Sequence, residues 1–312
     1  MLGYKKRTAY YMKTPHSWRS DDWDKRYREA NLAEEQKNAR MDIEYLNFME
    51  HAFKETGVAD RQKDGVSIIE LGCGSGPLGA HLLDLGYNVD FSDYSEVVVD
   101  RLSKEFGYKA FTADCTNLSN IEDESYDVII LAGTVYNFED YNMPNKIYTE
   151  FYRVLKPGGV FVHFLGEVKT PVTFLRSKVY NLRWVLNPVV VVKSNNFVRK
   201  IFKKEPLKKY ILMWLYHSTE IKKMVKNCNF SLIEMKHFQI EAGLCRLLPF
   251  LIKNKPNRKW QSFYVDKKNC VREPGIYISN LIRRYNPGIA AKALGLYAVK
   301  KAKYSPANYH SS

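Results

Sequence analysis

Apolar residues gather along this chain in two ways. Apolar runs broken only by single polar residues lie at Ile68-Ile69-Glu70-Leu71, Val89 to Ser92, Ala110 to Ala113, Tyr126 to Ala132 and Val160-Phe161-Val162. Each is bounded by Gly, Asp or Pro, which predicts five buried strands. Between them the apolar spacing becomes helical, as at Val97, Val98 and Leu102 after Ser95, a suitable N-cap. Ser218-Thr219-Glu220 followed by Ile221, Met224 and Val225 predicts a capped amphipathic helix, residues 230–238 a sixth strand and 294–300 its hairpin partner. Strands alternating with helices imply an α/β fold, a seven-stranded and mostly parallel sheet with helices on both faces. Helical insertions are expected in the carboxyl-terminal half.

The strand ends carry the candidate chemistry. Gly72, Gly74 and Gly76 follow the first strand, and Pro77 suits the first turn of the next helix. Such a turn lets a ligand approach the main chain, and Gly74, Gly76 and Gly79 also fit G-x-G-x-x-G. Asp93 ends the second strand, where a carboxylate can accept both hydroxyls of a ribose. Asp114 ends the third strand, with Cys115 beside it; they suit an adenine amino group and ring edge. Leu131 and Ala132 end the fourth, as walls for the adenine or as plain core.

Taken in order, ELGCGSGPLG, FSDYS, TADC, YDVIILAG and RVLKPGGVFV resemble the class I S-adenosylmethionine-dependent methyltransferases, in their small-molecule branch. The resemblance covers residues 66–164 and implies a Rossmann-like core with S-adenosyl-L-methionine as cofactor. It also implies that Glu70 helps place the methionine end, that Gly72, Cys73, Gly74, Gly76, Asp93 and Tyr94 line the pocket, and that Asp114 and Cys115 hold the adenine. Trp23 and Tyr27 are similar to a W-D-x-x-Y pattern that covers the cofactor in relatives. Tyr136 and Asn137 stand where many relatives carry His-His, which makes Tyr136 a candidate catalytic residue. His163, at the fifth strand's end, is the other candidate base for a hydroxyl acceptor, with Glu167 behind them.

Charge sharpens the expectation about partners. Residues 1–150 carry 17 Lys and Arg against 27 Asp and Glu, whereas residues 151–312 carry 31 against 7. A basic half opposite an acidic cofactor half predicts an anionic acceptor: a small molecule, or a nucleotide- or lipid-linked glycan methylated on a hydroxyl or, less favourably, an amine. RNA methylation is the alternative reading, and a non-catalytic cofactor-binding assembly subunit a second. Five scattered cysteines form no C-x-x-C pair and predict neither disulfides nor a metal site, in keeping with a reducing, cytoplasmic setting. Residues 247–252 form an apolar knob beside Lys253, Lys255, Arg258 and Lys259, which suits a membrane surface, or packing between insertions. No apolar run is long enough to span a bilayer, and the first residues lack a signal-peptide pattern. The expected organisation is a helical lid over 1–60, a core over 61–168, an acceptor-binding insertion over 169–217, a return to the core over 218–240, a second insertion over 241–293, the last strand over 294–302 and a flexible tail.

Overall fold

The computed structural model describes residues 8–10, 20–39, 43–135, 142–166, 168–172, 211–213, 216–254 and 270–301. After a short strand β1 (Thr8–Tyr10), helices α1 (Ser20–Glu29), α2 (Leu32–Ala39) and α3 (Ile43–Glu55) lead into the main sheet. That sheet begins with β2 (Ser67–Leu71), α4 (Pro77–Asp84), β3 (Asn88–Asp93), α5 (Glu96–Phe106), β4 (Ala110–Thr112) and β5 (Tyr126–Ala132). It continues with α6 (Met143–Val154), β6 (Leu155–Leu165), α7 (Ser218–Asn227), β8 (Phe230–Phe238), α8 (Ile240–Leu247), α9 (Glu273–Tyr285) and β9 (Ala293–Lys300). A separate strand β7 (Ile211–Met213) pairs antiparallel with β1.

The seven strands of the main sheet lie in the order β4-β3-β2-β5-β6-β9-β8. Neighbours from β4 to β6 are parallel, and β9 runs antiparallel between β6 and β8. The carboxyl ends of β2 to β6 therefore share one edge. Because β9 is reversed, Phe238 and Ala293 pair at that same edge, where Leu165 meets Leu294. Both long insertions consequently leave and rejoin the sheet beside the glycine turn.

Strand alternation divides the core into two layers. Ile129, Leu131 and Phe161 face Tyr148 and Phe151 of α6 and Ile221 and Val225 of α7. Val128, Ile130, Val162 and Phe164 pack on the opposite side with Phe48, Met49 and Phe53 of α3. There the ring of Phe48 meets Phe164, Phe238 and Tyr297 edge-on, at 5.3–5.8 Å between centroids. Helix α3 is thus sheet packing, and the expected lid over 1–60 contracts to α1 and α2.

Several boundaries follow the expected ones, including β3, β8 and the Ser95 cap, whose hydroxyl accepts from the Val98 N–H at 3.2 Å. Strand β4 stops before Asp114, because that carboxylate turns the chain by accepting from Thr116. The cap of α7 is His217 instead of Ser218: its Nδ1 accepts from Thr219, while Glu220 accepts from the His217 N–H. Most of the first insertion (173–210), the segment 255–269 and the tail lie outside the described residues. Among the described residues no helix is long and apolar enough to cross a membrane, the cysteines are free, and no metal-ligating group is formed.

The rings around Phe48 are a sensitive spot. Phe48→Ala is expected to cost about 3–5 kcal/mol, the usual loss for a buried phenylalanine, read by denaturant unfolding.

Candidate functional site

The turn between β2 and α4 is built from glycines in left-handed conformations. Gly72, Gly74 and Gly76 have φ of 58°, 56° and 66°. A Cβ on Gly72 would stand 2.7 Å from Thr134 Oγ1, and one on Gly74 would collide with the Tyr27 hydroxyl. Both conformation and space therefore exclude side chains here. The turn is held by the Cys73 N–H, which donates to Ser92 O at 3.0 Å, and by Gly76 N–H to Cys73 O at 2.8 Å.

Asp93 ties this turn to the next. Its Oδ2 accepts from the Gly74 N–H and its Oδ1 from the Ser95 N–H, each at 2.9 Å. Burial pushes its carboxyl above the usual value, an effect that these backbone donors oppose. Two donors leave lone pairs on a carboxylate, so Asp93 retains capacity for ligand hydroxyls.

Glu70, only 2 % exposed, accepts from the Gly79 N–H at 2.7 Å. It caps α4 in a sequence that supplies no Ser or Asp at the N-cap. Desolvation pushes its carboxyl up to about 8, against the lowering effect of the Gly79 and Leu78 amides.

Helices α1 and α2 close over the turn. The hydroxyl of the buried Tyr27 lies against Gly74, and Gln36 Nε2 donates to Ser75 O at 2.5 Å. The Ser95 hydroxyl donates to Asp24 at 2.5 Å, and Arg101 reaches the carbonyl oxygens of Tyr27 and, at 2.8 Å, Ala30. Trp23 stacks on Tyr27 at 5.9 Å, and the Arg26 guanidinium sits over both rings at 5.3 and 5.0 Å. The W-D-x-x-Y stretch is thereby brought to the glycine turn, with Tyr27 inward.

The remaining candidates divide. Tyr94 is exposed at the rim, beside Asp93. Asp114 uses Oδ1 for the N–H and hydroxyl of Thr116, both at 2.8 Å. The Cys115 thiol is buried in the α6-side layer, with its pKa raised by burial, and Cys73 is buried in the α3-side layer. Leu131 is fully buried in the core, in the same register row as Leu71 and His163, whereas Ala132 is half-buried at the edge. Tyr136, Asn137 and Glu167 lie outside the described residues.

His163 requires a correction. It is wholly buried between Leu131 and Leu296, two register rows below Leu165, with Nδ1 2.9 Å from the Tyr148 hydroxyl. Desolvation lowers its pKa to about 3, which makes it a poor proton acceptor as well as an inaccessible one. It is a core residue, because alternation turns it to the sheet face that α6 covers, where Tyr148 meets it.

Thr134, Gln36 and Ser95 join the site without having been singled out for it. Ser95 was legible only as a cap, Thr134 follows the strand end Ala132-Gly133 directly, and Gln36 sits in a polar helix with no distinguishing signal.

The raised Glu70 value sets a pH dependence. The stability from its neutral form is complete below about 4.5 and is lost as pH rises through about 8. Gln preserves the acceptor for Gly79 without the charge. The Tm of Glu70→Gln relative to the parent should therefore rise between pH 5 and pH 8, by calorimetry across that series; a constant offset would contradict it.

Comparison with known proteins agrees with this geometry. A family model described as a methyltransferase domain matches residues 69–163. The demethylmenaquinone methyltransferases of two Leptospira interrogans strains (serovars copenhageni and Lai) are 31 % identical over 114 residues. The match covers 33 % of this chain and 45 % of each relative, so the shared part spans less than half of those proteins. A chain in the complex of the Haloferax volcanii Trm112 methyltransferase activator with its methyltransferase is 16 % identical, with a TM-score of 0.51 over 90 % of this chain and 98 % of that one. This last likeness is one of fold. Over residues 69–163 the chain thus matches a methyltransferase domain.

Proposed function

We propose that this protein transfers a methyl group from S-adenosylmethionine to a hydroxyl of an anionic small molecule or of a nucleotide- or lipid-linked glycan. The observation that carries the reading is the nearly buried Asp93 carboxylate held against the Gly74 N–H, on the sheet edge from which both insertions rise.

The residues fit the cofactor. Left-handed glycines leave backbone open to it, and Asp93 keeps lone pairs for its ribose. Asp114 stands at the strand end suited to the adenine, and Trp23 and Tyr27 bring aromatic faces and exclude water. When bound, the cofactor supplies an electrophilic methyl group on a sulfonium. This chain's residues then bind, orient and desolvate, so positioning supplies most of the rate. Tyr136 remains the candidate for contact with the acceptor proton, now that His163 belongs to the core. The acceptor falls to the basic half, since the insertions begin and end at the reactive edge and carry most of the Lys and Arg excess. The acceptor in the Leptospira relatives' name does not extend to this chain, because the match is confined to the shared third.

Calorimetric titration with S-adenosylhomocysteine, with NAD as control, is the direct test. Micromolar binding of the former alone is expected, and its absence would favour a non-catalytic assembly role. Asp93→Ala should weaken that binding by about 1.5–3 kcal/mol, the scale of hydrogen bonds to a charged group. Unchanged affinity would remove Asp93 from the ribose role. A screen of phosphorylated and lipid-linked sugars follows; turnover on RNA alone, falling steeply with salt, would replace the acceptor assignment.

With an acceptor in hand, His163→Ala should leave kcat within about threefold while lowering stability by about 1–3 kcal/mol, because the Tyr148 hydroxyl loses its partner. A kcat loss of two orders of magnitude or more would restore His163 to the chemistry.

A further inference from the structure

Helix α9 has one side packed and one side bare. Its packed side is small: a Cβ on Gly275 would stand 2.7 Å from Val271 Cγ1 and 3.3 Å from Leu251 Cβ, and Ser279 is fully buried. The opposite side presents Tyr277, Leu281 and Tyr285, spaced four apart as one helical stripe, at 66, 39 and 75 % exposure. Phe250, 68 % exposed, projects from the turn Pro249–Leu251, which the Arg272 N–H fastens to the start of α9 by donating to Leu251 O at 2.8 Å. Ile289 is exposed just beyond the helix's end. Folding leaves these side chains in water although the same small domain buries Leu251, Val271, Leu244 and Cys245 in a core of its own.

The charge around the stripe says what would cover it. Among the described side chains of segment 241–293, Lys253, Arg272, Arg283, Arg284 and Lys292 stand against Glu241 and Glu273. One of these acids, Glu241, is already occupied by Arg283 at 2.8 and 3.0 Å. Arg284 lies over the Tyr285 ring at 5.7 Å, and Lys253 and Arg272 are exposed nearby in sequence. A second copy would press this positive excess against itself. Leu281 and Ile289 are aliphatic and offer nucleobases no stacking face. Tyrosines with an aliphatic residue between them, among cations, match the boundary between headgroups and acyl chains of an anionic bilayer.

We propose that the exposed face of α9 docks this protein on an anionic lipid surface. The helix continues through Pro287–Ile289 into β9, which starts at the glycine-turn edge, so docking holds that edge near the bilayer. The surface does not depend on the methyl-transfer reading; only its use in presenting a lipid-anchored acceptor rests on it.

The test is co-sedimentation of the full chain with phosphatidylcholine vesicles, with and without about three parts in ten of phosphatidylserine. Binding at least tenfold stronger to the anionic vesicles is expected, with a loss of about tenfold for Tyr277→Ser/Tyr285→Ser and a weaker salt dependence for Arg284→Glu. S-adenosylhomocysteine titration of the parent and each variant separates the two proposals: vesicle binding without cofactor binding sustains the surface and sinks the enzyme reading. Tyr285→Ser alone, at the most exposed ring, serves if the double variant does not fold. Absent vesicle binding, or equal binding by the variants, overturns the proposal. So does a dimer, or binding to an RNA oligonucleotide, that the same substitutions abolish without any effect on vesicles.

Discussion

The carboxylate of Asp93 holds the site together. It takes one N–H from the turn after β2 and another from the turn after β3, and so fixes two strand ends against each other at 2.9 Å contacts. Hydrogen bonds to an ionised acceptor are the stronger kind, and burial makes their loss expensive. Around them Cys73 bonds back to Ser92, Ser95 caps α5, and Asp24 of α1 accepts from the Ser95 hydroxyl. The lid thus meets the same small network as the two strand ends.

Glu70 and His163 illustrate opposite uses of a buried titratable group. Glu70 sits where a helix begins, so two amides meet its charge, yet desolvation still dominates and lifts its pKa. Among the described residues His163 has a single hydroxyl partner, at Nδ1, and none at Nε2, so burial keeps it neutral. Along β6 both His163 and, two register rows on, Leu165 are buried, so the strand's end is core as well.

The basic half is organised by its return points. Gly243 leaves no room for a side chain because Ala290 O lies against it, and Glu241 grips Arg283 from α9 while Glu44 of α3 lies 3.6 Å from the same guanidinium. The small second core is therefore anchored to the sheet edge as well as to its own helices. Of the apolar knob expected at 247–252, Leu251 turns inward, Leu248 and Ile252 are half-buried, and Phe250 alone among the described side chains points out.

The sequence by itself determined the strand–turn–helix order, the glycine turn, the acids at the strand ends and the resemblance to a methyltransferase domain, because each depends on local pattern: apolar runs, positive-φ glycines and caps. It also determined the charge imbalance. Only the tertiary structure decided that His163 and Leu131 are core, since which face of a buried strand a residue takes depends on what packs there. It likewise decided that α3 packs on the sheet while α1 and α2 close over Gly74. Amphipathic helices look alike until their partners are known, and Gln36 reaches Ser75 across 39 residues of chain. The stripe on α9 escaped the sequence for the same reason: Tyr277, Leu281 and Tyr285 read as ordinary core spacing, and only packing left them outside.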